Sequence, residues 1–169
     1  NLIHRGTAKN FRASGLTGYN SSASFYNCRN TGDITVEGTA TIKSTTHLAG
    51  LCNQTISSPS ISECSNSGDI TIKTGASTAN DVYMSGLCKN IANCNFTNNH
   101  NSGDFTIEDN LTFKRLVKLA GVCMEVSGAE TVISNCTNSG SFNVGSYTNN
   151  ATGNNGRLYV GGLFNNVTG

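Results

Sequence analysis

Three aspartates, Asp33, Asp69 and Asp104, stand 36 and 35 residues apart, each directly after a glycine. Carboxylates at such an interval come together if the chain coils once per interval. Aligned, they could ligate Ca²⁺ or divide into acid and base across a polysaccharide bond. In the plainer reading each Asp bonds the backbone of its own turn. The plainer reading is favoured, because the column ends at Ser141 and neither Arg nor His joins it. His4, His47 and His100 occupy unrelated places, and no His-X-X-X-His spacing suits a metal. No Gly-X-Ser-X-Gly elbow, phosphate loop or dinucleotide fingerprint occurs. The sequence therefore nominates no catalytic, cofactor or metal residue, and a non-enzymatic role is expected.

Seven cysteines fall in two kinds of position. Cys52, Cys88 and Cys123 follow a Gly-Leu or Gly-Val pair, whereas Cys28, Cys64 and Cys136 precede a recurrent Asn by two residues. The third unit has Asn99 in that second place and Cys94 five residues before it. Pairing within each unit (Cys52–Cys64, Cys88–Cys94, Cys123–Cys136) closes the shorter loops and leaves Cys28 over. Each such bridge stabilises by roughly 2–3 kcal/mol on the loop-entropy model. Pairing to the next unit (Cys28–Cys52, Cys64–Cys88, Cys94–Cys123) is the other register, and buried free thiols are the third possibility. Paired cysteines imply an oxidising compartment.

Asn-X-Ser/Thr occurs seven times, at Asn20, Asn53, Asn95, Asn110, Asn135, Asn150 and Asn166. A chain this rich in Asn, Ser and Thr produces several by chance. Asn150 is the first candidate for glycosylation, with Asn110, Asn20 and Asn53 after it; Asn135, beside Cys136, is the last choice.

What positions these residues is an internal repeat, which decides the fold before any local detail. Asn30-Thr31-Gly32-Asp33-Ile34-Thr35-Val36 returns as Asn66-Ser67-Gly68-Asp69-Ile70-Thr71-Ile72. It returns again from Asn101 to Ile107 and from Asn138 to Val144. Ser14-Gly15-Leu16 recurs as Ala49-Gly50-Leu51, Ser85-Gly86-Leu87, Ala120-Gly121-Val122 and Gly161-Gly162-Leu163. The last interval is lengthened by the polar stretch 148–156, which reads as a surface loop.

Apolar residues alternate with polar ones at period two around these motifs. The columns are Ile34/Val36 and their equivalents; Phe11/Ala13, Val82/Met84, Val117/Leu119 and Leu158/Val160; and Phe25, Ile61, Phe96 and Ile133. Each unit thus supplies about three short strands with one apolar face. A unit of this kind cannot close a core alone, but stacked copies can. The expected fold is an all-β solenoid of 35–37-residue coils, spaced ~4.8 Å and on the order of 20–25 Å high. Its divisions are a partial unit at 1–14, units at about 15–49, 50–85, 86–120 and 121–161, and a partial unit at 162–169. Asn30, Asn66, Asn101 and Asn138 are expected to form a ladder of side-chain amides. Gly32, Gly68, Gly103 and Gly140 are expected at turns with positive φ. Thr35, Thr71 and Thr106 line a plain outer face that Asn143 interrupts.

Only 12% of the 169 residues are charged and the net charge is +1, with Lys114-Arg115 and Lys118 the nearest approach to a basic cluster. Nucleic acid is not an expected partner. No apolar run is long enough to cross a membrane as a helix.

The run Ser14-Gly15-Leu16-Thr17-Gly18-Tyr19-Asn20, followed by Tyr26-Asn27-Cys28-Arg29-Asn30-Thr31-Gly32-Asp33-Ile34-Thr35, resembles the GLUG-motif repeats of bacterial and protist surface proteins. The resemblance extends over nearly the whole chain through the equivalent runs. It implies a β-solenoid within a secreted or surface-anchored protein, often an adhesin, and no catalytic residues.

The chain begins at Asn1 without Met and opens and closes partway through a unit, with no polar cap at either end. It is expected to be a processed or excerpted segment, or a subunit that stacks head to tail. The function expected is a structural rod or fibre module outside the cell or on its surface. Its partners are then copies of itself or neighbouring coils. The alternatives are an adhesin binding glycans or a host surface, and a polysaccharide-active enzyme using the Asp column.

Overall fold

The computed structural model describes residues 1–55, 60–78, 80–149 and 157–168, with 149 described by its backbone only. Among the described residues, 27 strands form six parallel sheets and no helix occurs. Each turn of chain visits the six sheets in the same order, so the chain is a β-solenoid whose coils repeat about every 36 residues.

Sheet I stacks Leu2–His4, Ile34–Val36, Ile70–Ile72, Phe105–Ile107 and Phe142–Val144. Sheet II stacks Thr7–Ala8, Thr41–Ile42, Ser77–Thr78, Leu111–Phe113 and Tyr147–Asn149. Sheet III stacks Phe11–Ser14, Thr46–Ala49, Val82–Ser85, Val117–Ala120 and Leu158–Gly161. Sheet IV comprises Cys52–Gln54, Cys88–Ala92, Cys123–Ser127 and Phe164–Thr168, with Thr17 bridged beneath Cys52. Sheet V holds Phe25–Tyr26, Ser60–Ser62, Asn95–Thr97 and Val132–Ser134. Sheet VI holds Arg29–Asn30, Ser65–Asn66, His100–Asn101 and Thr137–Asn138.

The three strands expected from periodicity are those of sheets I, III and V. Sheets II, IV and VI add three more segments per coil, which alternation does not mark because their inward residues vary in size and polarity (Ala8, Ile42, Thr78 and Phe113 in sheet II).

Equivalent residues pair in register throughout: Ile70 lies on Ile34, Phe105 on Ile70, and Phe142 on Phe105. A slip of one residue would turn every inward side chain outward. Register is therefore fixed by burial.

Two apolar cores result. Sheets I, II and III enclose the first, which includes Ile34, Ile72, Met84, Phe105, Phe113 and Leu119. Sheets IV and V enclose the second, built on Leu51, Leu87, Ile91, Phe96 and Val122 with the cysteines among them. A waist divides the two, and the two sequence motifs meet there. Asn66 Nδ2 donates to Asn101 Oδ1 at 2.8 Å, Asn101 to Asn138 at 2.7 Å, and Asn30 to Asn66 at 2.7 Å. Each amide also donates to the carbonyl of the Gly two residues on, as Asn101 does to Gly103 at 2.9 Å. Facing this ladder is the glycine that follows sheet III. A Cβ on Gly86 would lie 2.5 Å from Asn101 Cγ and 2.0 Å from the carbonyl oxygen of Gly121. One motif is glycine because the other is asparagine.

The expectation for Gly32, Gly68, Gly103 and Gly140 is corrected on the same ground. Positive φ among described glycines occurs at Gly75 and Gly128, both at 91°, and not at these four. What requires glycine at 68, for example, is space: a Cβ there would stand 2.2 Å from the Gly32 carbonyl oxygen. Left-handed backbone recurs instead at Asn27, Glu63, Asn98 and Asn135, one per coil between sheets V and VI, with φ of 49–56°, and occurs also at Asn93 and Asn110. Asn tolerates that region because its short amide bonds locally.

Candidate functional site

The aspartate column is a backbone clamp. Asp33 Oδ1 accepts from the N–H of Asp69 at 3.0 Å, Asp69 from Asp104 at 2.8 Å, and Asp104 from Ser141 at 2.7 Å. Asn1 begins the series by accepting from the Asp33 N–H. Each carboxylate thus holds the coil after its own, rather than its own turn. No group of three or more His, Cys, Asp or Glu side chains is placed to hold a metal ion among the described residues.

All seven cysteines are free thiols. Cys52–Cys64, Cys88–Cys94 and Cys123–Cys136 are not bonded, nor are the pairs of the alternative register. Parallel stacking places Cys52, Cys88 and Cys123 directly above one another in sheet IV. Cys28, Cys64 and Cys136 occupy a separate column between sheets V and VI. Burial dominates their chemistry: it pushes Cys52, Cys64 and Cys94 up to about 11, and Cys88 and Cys123 further. The thiolate is thereby suppressed, and these are inert core thiols. In the third coil Asn99 replaces the cysteine. It is fully buried, accepts from the Cys64 N–H and donates to the Ile61 carbonyl, both at 2.9 Å.

The sequons divide by burial. Asn53 is 1% exposed and its Nδ2 donates to the Ala13 carbonyl, so it is no glycan acceptor. Asn20 is 6% exposed, and its amide both donates to and accepts from Ala23. Asn110 and Asn135 are exposed; Asn150 and the rest of the loop 150–156 lie outside the described residues.

The chemically richest surface lies where sheet III bends into sheet IV, on the outer side of the waist. The outward residues of sheet III form one column in the order Arg12, His47, Tyr83, Lys118, Tyr159. Across the bend sheet IV presents Lys89, Glu125 and Asn166. The Lys89 ammonium lies 5.2 Å from the Tyr83 ring centre, and Lys118 sits between Tyr83 and Tyr159 at 5.8 and 5.9 Å. Glu125 holds Lys89 at 3.2 Å and Lys118 at 4.0 Å. Asp81 accepts from the Tyr83 hydroxyl and pairs with Arg115 at 3.3 Å. Burial, then the Asp81 carboxylate, raises Tyr83 to about 12, so its hydroxyl stays protonated. A cavity of about 360 Å³ opens against this floor, lined by Asp81, Arg115, Lys118, Arg157, Tyr159 and Asn166.

Tyr83, Lys118 and Tyr159 were legible as the outward phase of the alternation Val82/Met84, Val117/Leu119 and Leu158/Val160. What sequence could not supply is the bend that faces them with Lys89 and Glu125.

His47 packs edge-on against Tyr83, with ring centres 5.1 Å apart. Burial first, then Lys89 and Arg12, lowers its pKa to about 4, against the opposing pull of Glu125 and Asp81. The unfolded chain binds a proton at its ordinary value near 6.5. Between those values the unfolded state holds more protons, so stability is complete above pH 6.5 and is lost as pH falls toward 4. The ring is partly exposed, which reduces the expected loss to about 1–2 kcal/mol. Urea titrations at pH 7 and pH 4.5 should show it, and His47→Gln should remove that part of the difference; an unaltered difference would exclude His47 as its source.

No family model, curated protein sequence or solved structure matches the chain.

Proposed function

We infer that this chain is a structural segment of a β-solenoid rod, its end coils covered by further coils of the same kind, either in one chain or in copies stacked head to tail. The observation that carries the reading is where apolar surface is exposed. Leu2 is 39% exposed while Ile34 above it is 1% exposed; Leu16 is 43% exposed while Leu51 and Leu87 are fully buried. At the other end Leu158, Val160, Leu163 and Val167 are 36–61% exposed, although the same columns are closed at Val117, Leu119, Val122 and Val126. Exposure of inward columns at the end coils, beside open sheet edges, supports the reading that another coil completes these surfaces. A heterologous end-to-end contact of this kind does not close on itself and produces a rod.

The setting outside the cell or at its surface rests on the resemblance to GLUG-motif repeats. The free thiols lend it nothing.

The test is assembly of the 169-residue chain. Rods of one width, lengthening with concentration, are expected by electron microscopy and sedimentation. Val160→Asp combined with Leu163→Asp, both in the last coil, should leave monomers. A chain monodisperse at high micromolar concentration, gaining no thermal stability when further coils are fused to its ends, would refute the reading.

A further inference from the structure

We propose that the groove between sheets III and IV binds an anionic polysaccharide, a sugar face on Tyr159 and its carboxylate or sulfate groups on the groove's cations. This goes beyond a structural role and does not depend on it, because the groove is built from outward side chains of successive coils, the last included, and not from the inward columns that a further coil would cover.

The lining is mixed in a way that suits sugar acids. Arg115, Lys118 and Arg157 bring three cations against Asp81 in the lining and Glu125 beside it. Asp81 and Glu125 are already engaged by Arg115, Lys89 and Lys118, so the floor is held in place before any ligand arrives. Tyr159 is 40% exposed, and Arg157 donates to its hydroxyl at 3.2 Å. A guanidinium carries five N–H donors in a planar fork, which leaves four for a bidentate anion beside the ring. Asn166 adds an amide that both donates and accepts, as sugar hydroxyls require. The cavity volume is in the range of small-molecule sites.

The period of the column fits a polymer. Tyr83, Lys118 and Tyr159 stand on successive coils in register. Coils advance by ~4.8 Å, a step close to the length of one pyranose ring in an extended chain. A polysaccharide lying along the stack would meet Arg115 and Lys118 on one coil and then Arg157 and the exposed ring of Tyr159 on the next. Nucleic acid fits less well. Its phosphates present acceptors only, and they would meet the carboxylates of Asp81 and Glu125, whereas a sugar acid offers hydroxyl donors to the same groups.

The experiment is affinity electrophoresis of the folded chain in gels containing polygalacturonate, dextran sulfate, neutral dextran or single-stranded DNA. Retardation by polygalacturonate or by dextran sulfate is expected, the two gels separating a carboxylate ligand from a sulfate one, with none by neutral dextran. Arg157→Ala and Tyr159→Ala should each weaken retention about tenfold, the loss of one charge-assisted contact. Arg29→Ala, an exposed cation of sheet VI outside the groove, should leave it unchanged. Circular dichroism of each variant confirms the fold. No retention by either acidic polymer, equal retention in the Arg157 and Tyr159 variants, or equally strong retention by single-stranded DNA would overturn the proposal.

Discussion

Gly86→Ala is expected to destabilise the chain by about 3–4 kcal/mol, the combined cost of overpacking and of the hydrogen bonds it displaces. The added methyl group meets the Gly121 carbonyl oxygen at 2.0 Å on one side and the Asn101 amide at 2.5 Å on the other. Neither can yield cheaply. The carbonyl belongs to the coil above, and the amide is held in the ladder. Relief requires the coils to part at the waist, which lengthens the amide bonds of Asn66 and Asn101. The column carries its own control: a Cβ on Gly162, in the last coil, meets nothing within 4 Å. In the monomeric Val160→Asp, Leu163→Asp background, Gly162→Ala should therefore fall within about 0.5 kcal/mol of the unsubstituted chain. Urea denaturation of the two variants decides the matter. Equal midpoints would show that the waist is looser than its geometry implies.

Asn101→Leu is expected to cost as much by a different route, since it conserves shape and removes polarity. Asn101 donates to Gly103 and to Asn138 and accepts from Asn66, and it is fully buried. With leucine there, the Asn66 amide loses an acceptor, while the Gly103 carbonyl and the Asn138 amide oxygen lose a donor. Each buried group left without its partner costs about 1–3 kcal/mol, and a network broken in the middle is the unfavourable case. A total near 3–4 kcal/mol follows on the same scale. Asn138→Leu breaks the ladder where it is half-buried, and should cost about half as much on that scale. Thermal or urea unfolding of both checks the ranking. A loss at 101 no larger than at 138 would mean that the ladder acts as separate bonds.

The coil and its period were readable because burial writes a column at period two, as at Ile34/Val36, and the column returns every 35–37 residues. The amide ladder was readable for the same reason: one Asn recurs at one place. Sheets II, IV and VI were not, since Thr78 stands inward where Ile42 and Phe113 stand in adjacent coils. The glycines were visible, but the cause of those at 68, 103 and 140 was not. A sequence records that a side chain is missing; it does not distinguish a left-handed turn from a carbonyl at 2.2 Å. Asn53 and Asn20 show the same limit, because a sequon reads alike whether its amide faces solvent or is buried. The thiols show it most clearly. Regular spacing suggested bonded pairs, yet in-register stacking sets like above like across coils.

The register that aligns the columns also governs how the chain can find its fold. Every ladder bond joins residues 35–37 positions apart, and none is local. Two coils must therefore close a loop of that length before either gains a stacked face, and closure of a loop this size costs roughly 3 kcal/mol beyond a constant term. Once a pair exists, each further coil closes an equal loop onto a template already formed. Such a chain nucleates slowly and then elongates, from any adjacent pair of coils in either direction. Its unfolding runs the same path backwards and begins at any coil that has one face with nothing stacked on it.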